Sequence, residues 1–226
     1  MKFSQRGAFM KFKEMNLPNK LTTIRMICVP VVILLFILHM LYLSFDLPTD
    51  WVIINQAKSF LTLDQILIFV LFVAASITDY VDGHLARKNH IVSDYGKMMD
   101  PLADKLLVNT TMIGLIGFGF LKSPFLQKGS DILYLILTIV VILVIFRDFF
   151  VDSLRMQSVK NGVVVPASRF GKYKTATLMP GIAFLLLGSA HVVIYSIGAG
   201  LLILGGVFAI IGGVQYYLSI MPTLDK

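Results

Sequence analysis

The chain has 226 residues, of which 57% are hydrophobic, a mean hydropathy of +0.81 and a formal net charge of +7. A water-soluble domain of this size has no interior that could hide so much apolar surface, so the solvent is a bilayer. Positive charge on such a chain marks a cytosolic membrane face rather than a nucleic-acid partner, and the single cysteine, Cys28, excludes an internal disulfide.

Residues 1–20 stand apart. Phe3, Phe9, Met10 and Phe12 mingle with Lys2, Arg6, Lys11 and Lys13, and no apolar core of a signal peptide is present. The stretch reads as a basic juxtamembrane segment. It is either a helix lying on anionic lipid, a basic tail, or an extension ahead of a start at Met15. Six apolar spans follow, near 22–45, 63–85, 99–121, 131–153, 174–190 and 192–218. The predicted fold is therefore all-α: a polytopic membrane protein with a six-helix transmembrane domain over 21–226. Asp46-Leu-Pro-Thr-Asp50 and Lys122-Ser-Pro124 carry turn chemistry between spans. His39, inside the first span, reads as a hydrogen-bonded packing residue. Gly205, Ala209 and Gly213 form a ridge of small residues on the last span, suited to close packing within the fold.

Lysine and arginine set the orientation. Six precede or open the first span, four lie between spans two and three, six between spans four and five, and Lys226 ends the chain. The other side holds only Lys58, Lys122 and Lys128. This asymmetry predicts cytosolic termini. The uncharged cores of spans two to four are short, covering only 66–77, 106–121 and 132–146, and each turns polar at its cytosolic end. A water-filled cavity cut into the cytosolic leaflet accounts for that.

The polar ends carry a pattern. It runs Asp79-x2-Asp82-Gly83-x2-Ala86-Arg87, then eight residues, then Gly96-x3-Asp100-x3-Asp104. Helical positions three or four apart share a face, so Asp79 with Asp82 and Asp100 with Asp104 are two same-face pairs on neighbouring helices. Facing each other, they make a hard oxygen cage suited to Mg²⁺ or Mn²⁺, and no Cys/His cluster points to zinc. Gly83, Ala86 and Gly96 clear space on the acidic face, and Arg87 lies where it meets phosphate oxygens. Salt-bridged acids at helix ends are the alternative. Four regularly spaced acids with three interleaved small residues weigh against it.

This motif, eight fixed positions within 26 residues, resembles the signature of the CDP-alcohol phosphotransferase family. The resemblance implies six transmembrane helices, two divalent metal ions and displacement of CMP from a CDP-linked lipid by an alcohol. Carried onto this chain, it makes Asp79, Asp82, Asp100 and Asp104 metal ligands, with Asp104 also the general base. Gly83, Ala86, Arg87 and Gly96 would cradle the CDP moiety. A homodimer in the bacterial cytoplasmic membrane is implied as well.

Two further stretches resemble the bacterial phosphatidylglycerophosphate-forming branch of that family. In Asn16-Leu-Pro-Asn19-Lys-Leu-Thr22-Thr-Ile-Arg25, Asn19 and Thr22 could donate to the diphosphate, cap a helix, or do both. In Arg147-Asp-Phe-Phe-Val-Asp-Ser-Leu-Arg155 the arginines are two turns apart on one face, and Lys172 and Lys174 open the next span. Four converging cations suit a dianionic phosphate such as that of glycerol 3-phosphate. Ordinary positive-inside charge is the competing reading, with its best claim on Lys160 and Arg169. Asp148 and Asp152 either pair with the arginines or face solvent. The stretch 46–62 is a longer outer loop than the branch leads one to expect.

The expected reaction transfers the phosphatidyl group of CDP-diacylglycerol, drawn from the membrane lipids, to glycerol 3-phosphate at a cytosolic site. Inositol phosphate is the nearest rival acceptor; zwitterionic serine calls for fewer cations. Outside the family, a membrane prenyltransferase would need more spans, and a divalent-cation transporter would not need Arg87 or the cation cluster.

Overall fold

The computed structural model describes residues 17–45, 52–56, 59–89, 94–126, 129–160 and 169–224, and no side chain from 79 to 98. Of the basic juxtamembrane segment expected over residues 1–20, residues 1–16 lie outside the described residues and 17–20 form the first turn of the first helix. Six helices carry the fold: α1 (Leu17–Ser44), α2 (Leu63–Asn89), α3 (Asp94–Gly117), α4 (Ser130–Lys160), α5 (Arg169–Leu186) and α6 (Val192–Leu224). Each corresponds to one predicted apolar stretch, usually extended at the polar end, because a helix continues wherever its backbone bonds are undisturbed.

Three helices are long and apolar enough to cross a membrane by length and composition: Asn19–Leu41 of α1, Ser130–Ser158 of α4 and Val192–Met221 of α6. In α2 the apolar part is shorter, Leu63–Thr78, before the acidic motif begins. Of the three spans with short uncharged cores, α2 and α3 fall outside the set of three apolar helices, whereas α4 is within it, because its apolar stretch continues through Phe149, Phe150 and Val151 beyond Arg147 and Asp148. Large apolar side chains such as Ile27, Ile132, Phe146 and Leu218 are exposed on its outside, as a lipid-facing surface requires.

One departure from an all-helical chain lies between α1 and α2. Strands β1 (Val52–Gln56) and β2 (Ser59–Thr62) pair antiparallel, with Val52 opposite Thr62 and Gln56 opposite Ser59. The segment predicted as a long outer loop is therefore a short hairpin. Its β-branched and aromatic residues alternate over too few positions to stand out beside the neighbouring helices.

Packing relies on glycine where helices cross closely. A methyl group added at Gly198 would stand 2.9 Å from the Leu185 backbone nitrogen, and one at Gly181 would stand 3.0 Å from the Leu202 nitrogen, so α5 and α6 meet nearly backbone to backbone. Gly205 faces Leu178 and Thr177 of α5, Gly206 faces Val140 of α4, and Gly114 of α3 seats the ring of Phe36 from α1. The ridge on the last helix is thus used inside the protomer. The core it helps to close runs through Val32, Phe36, Ile68, Phe72, Leu107, Leu115, Val141, Ile182 and Leu202.

A buried polar cluster lies at the α2 N-terminus. His39 of α1 pairs through Nδ1 with the Asp64 carboxylate, and Phe120 lies against the imidazole with ring centroids 5.0 Å apart. Gln65 Oε1 accepts from the Thr62 backbone N–H at 3.0 Å and from the Ser189 hydroxyl at 3.3 Å. Tyr195 donates to the Leu121 carbonyl at 2.7 Å. His39 is thus the packed, hydrogen-bonded residue expected, with a carboxylate as its partner. Gly119 supplies the left-handed backbone (φ +77°) that turns the chain out of α3.

Candidate functional site

Toward the other end the helices part around a cavity of about 780 Å³, lined from α3, α4, α5 and α6. Helix α3 contributes Asp104, Lys105 and Asn109, and α4 contributes Arg147, Asp148, Asp152 and Arg155. Lys172 and Lys174 enter from α5 and Tyr216 from α6. Its ionisable lining is five cations (Lys105, Arg147, Arg155, Lys172, Lys174) against three carboxylates (Asp104, Asp148, Asp152). Surplus positive charge in a partly apolar wall is costly unless negative charge joins it, and among the described residues the cations of this wall outnumber the carboxylates.

The pairing shows which cations remain. Asp148, buried at 8% exposure, receives Lys174 Nζ on both oxygens at 2.5 and 2.6 Å and Arg147 Nη1 at 3.1 Å. Asp152 pairs with Lys105 across the α3–α4 contact. Of the two outcomes open for these acids, Asp148 takes the arginine and adds a lysine, while Asp152 takes a lysine from another helix. Lys174 lines the cavity as half of an ion pair. Among the described residues neither Arg155 nor Lys172 has a carboxylate partner. Arg155 lies over the Tyr216 ring, its Cζ 5.8 Å from the centroid. Arg147 also donates from Nε to the Ala209 carbonyl at 3.0 Å, so two of its five N–H groups are committed.

The acidic motif is split between α2 and α3. Asp79, Asp82, Gly83, Ala86 and Arg87 fall in the last turns of α2, and Gly96 falls in the first turns of α3. Their side chains lie outside the described residues. Asp100 and Asp104 are described, one turn apart on α3 and half-buried, with Asp104 on the cavity. The Thr22 hydroxyl of α1 hydrogen-bonds Asp100 Oδ1. Thr22 and Asn19, both buried, sit within the first two turns of α1 rather than at its cap, since the helix already begins at Leu17. Thr22 therefore orients a carboxylate of the motif and ties α1 to α3.

Among the described residues no three carboxylate, histidine or cysteine side chains gather into one cluster. The described pair does fit the divalent ion implied by the motif. Asp100 and Asp104 are hard oxygen donors at one-turn spacing, and Asp100 is held by a hydroxyl, the outer support that metal-binding carboxylates commonly have.

A cation-surplus cavity beside paired aspartates, in a bundle whose outer surface is apolar, defines an integral membrane protein with a charged cavity between its helices. The chain matches the model of the CDP-alcohol phosphatidyltransferase family over residues 15–211 and belongs to that family, which makes it an enzyme of the phosphotransferase type. Among its relatives, a protein of Rickettsia prowazekii is 35% identical over 208 residues, covering 92% of this chain and 91% of that one. A Bacillus subtilis protein is 35% identical over 172 residues, covering 76% and 77%. A Mycoplasma pneumoniae protein is 33% identical over 170 residues, covering 75% of this chain and 66% of that longer one. All three are named CDP-diacylglycerol–glycerol-3-phosphate 3-phosphatidyltransferase.

The site groups that sequence reasoning passed over are Lys105, Asn109, Tyr216 and the Ala209 carbonyl. Lys105 reads as ordinary cytosolic-side charge, the others carry no charge, and the last two become visible only when α6 is packed against α4.

Proposed function

We propose that the chain transfers the phosphatidyl group of CDP-diacylglycerol to sn-glycerol 3-phosphate, giving phosphatidylglycerophosphate and CMP. The observation that carries this reading is the cavity, where Asp104 shares one space with Arg155, Lys172 and the tethered Arg147. The names of the relatives agree with it.

Arg147, Arg155 and Lys172 bind the acceptor's phosphate, with Lys174 and Asp148 fixing Arg147 from behind. Asp104 accepts the proton of the acceptor's primary hydroxyl. That oxygen forms a bond to the lipid-side phosphorus in line, the diphosphate P–O bond opposite it breaks, and CMP leaves with the bonding electrons. Asp79, Asp82, Asp100 and Asp104 would hold two Mg²⁺ ions, or Mn²⁺, which when bound supply charge neutralisation at the diphosphate. Asn19, Gly83, Ala86, Arg87 and Gly96 cradle the CDP moiety, with Thr22 steadying Asp100. Holding the reactants in line and balancing their charge provides most of the rate.

We place all six helices across the bacterial cytoplasmic membrane, with both termini and the cavity in the cytosol. The distribution of lysine and arginine supports this orientation. The test is CMP release by the purified chain in lipid vesicles with CDP-diacylglycerol and a panel of acceptors. Glycerol 3-phosphate should be used well and serine poorly. A preference for inositol phosphate would move the chain to another reaction of the same family.

A further inference from the structure

Helix α6 carries no Asp, Glu, Lys, Arg or His from Val192 to Leu224, yet both cavity arginines lean on it. Arg147 Nε donates to the Ala209 carbonyl at 3.0 Å. Within a helix that carbonyl already serves the N–H of residue 213, so an outside donor reaches it only if the flank is open. Residue 213 is glycine. A methyl group there would stand 3.0 Å from Arg147 Cγ and 3.4 Å from Nε. The missing side chain makes the notch in which the arginine stem lies. Further along, the ring of Tyr216 lies under Arg155 at 5.8 Å. Tyr216 is 3% exposed and packed with Val151 and Ile220, so the ring is held in place. Positions 209, 213 and 216 share one helical face, opposite arginines that are two turns apart on α4.

We infer that Ala209, Gly213 and Tyr216 form a positioning strip that sets where the two guanidinium groups stand, and so tunes recognition of the acceptor's phosphate monoester. This rests on the reading of Arg147 and Arg155 as acceptor ligands. The physical gain is preorganisation. An arginine whose stem is seated and whose Nε is committed has already lost its rotamer freedom before the phosphate arrives. Tyr216 does the same for Arg155 through the face of its ring.

The test uses the purified full chain in vesicles, with initial rates measured against each substrate. Gly213→Ala should raise the glycerol 3-phosphate KM by about tenfold while leaving the CDP-diacylglycerol KM within about twofold. On an Arg147→Lys background, which lacks Nε, the same change should add less than about twofold. Tyr216→Leu should raise the acceptor KM by about threefold more than Tyr216→Phe, which keeps the ring. An equal effect of Gly213→Ala on both backgrounds, a parallel rise in both KM values, or equal losses for Leu and Phe at 216 would overturn the strip while leaving the reaction intact. An Arg147→Lys enzyme with the original acceptor KM would instead overturn the acceptor assignment, and the strip with it.

Discussion

The two polar regions of this bundle handle buried charge in opposite ways. At the α2 N-terminus, His39 meets Asp64, Gln65 accepts from Thr62 and Ser189, and Tyr195 meets the Leu121 carbonyl. Those partners all come from the protein. In the cavity, cations outnumber carboxylates, and Arg155 and Lys172 have no carboxylate partner among the described residues. The first region draws its partners from the fold; the second keeps a surplus of cations among the described residues, which the proposed function matches with an anionic substrate. A polar cluster that satisfies itself is architecture, and one left with a surplus of one sign is a candidate binding site.

That contrast breaks first on metal removal. Chelation with EDTA should reduce CMP release to background and Mg²⁺ should restore it, as the two-ion role proposed for the acidic motif requires. No such dependence should appear in the folding of the His39–Asp64 region. A thermal melt followed by far-ultraviolet circular dichroism with and without chelator checks this second part.

The next effect concerns stability. His39→Ala leaves the buried Asp64 carboxylate without its partner and should cost about 3 kcal/mol, read from denaturant unfolding in detergent. The double change His39→Phe with Asp64→Leu should recover most of that loss, since an apolar pair of similar volume fills the same space. No apolar replacement should rescue the cavity cations. Arg155→Ala should raise the acceptor KM by about tenfold with little change in unfolding, because this exposed cation is held for the ligand rather than for the fold. Smallest of all, Ser189→Ala removes one 3.3 Å bond to Gln65 and should cost roughly 0.5–1 kcal/mol with no change in either KM.

Much of this was legible in the residues alone. Hydropathy gives six helices close to where they lie, because long apolar stretches in a membrane protein satisfy their own backbone as helices. The eight-residue interval between Arg147 and Arg155 places them on one face, and both do line the cavity. The short uncharged cores of the middle spans announce the cavity itself. What stayed hidden depends on contacts far apart in sequence. The Asp148 link to Lys174 spans 26 residues, the Lys105 link to Asp152 spans 47, and Thr22 reaches Asp100 across 78. Spacing along a helix says nothing about such pairs. Gly213 and Tyr216 were hidden for another reason. In an uncharged helix a glycine reads as packing and a tyrosine as core, and their meaning comes from the arginines laid against them. The β1–β2 hairpin is short enough that local propensity gives no clear signal.

The central claim is that Asp104 takes the proton from an acceptor whose phosphate the cavity cations hold. It is tested most directly by comparing wild type and Asp104→Asn in vesicles, with CMP and phosphatidylglycerophosphate counted in the same reaction. The account predicts one product lipid per CMP in the wild type, formed only when glycerol 3-phosphate is present, and a loss of about a thousandfold or more in kcat for a variant that still folds. Turnover by Asp104→Asn within about tenfold of wild type under saturating Mg²⁺ would contradict it.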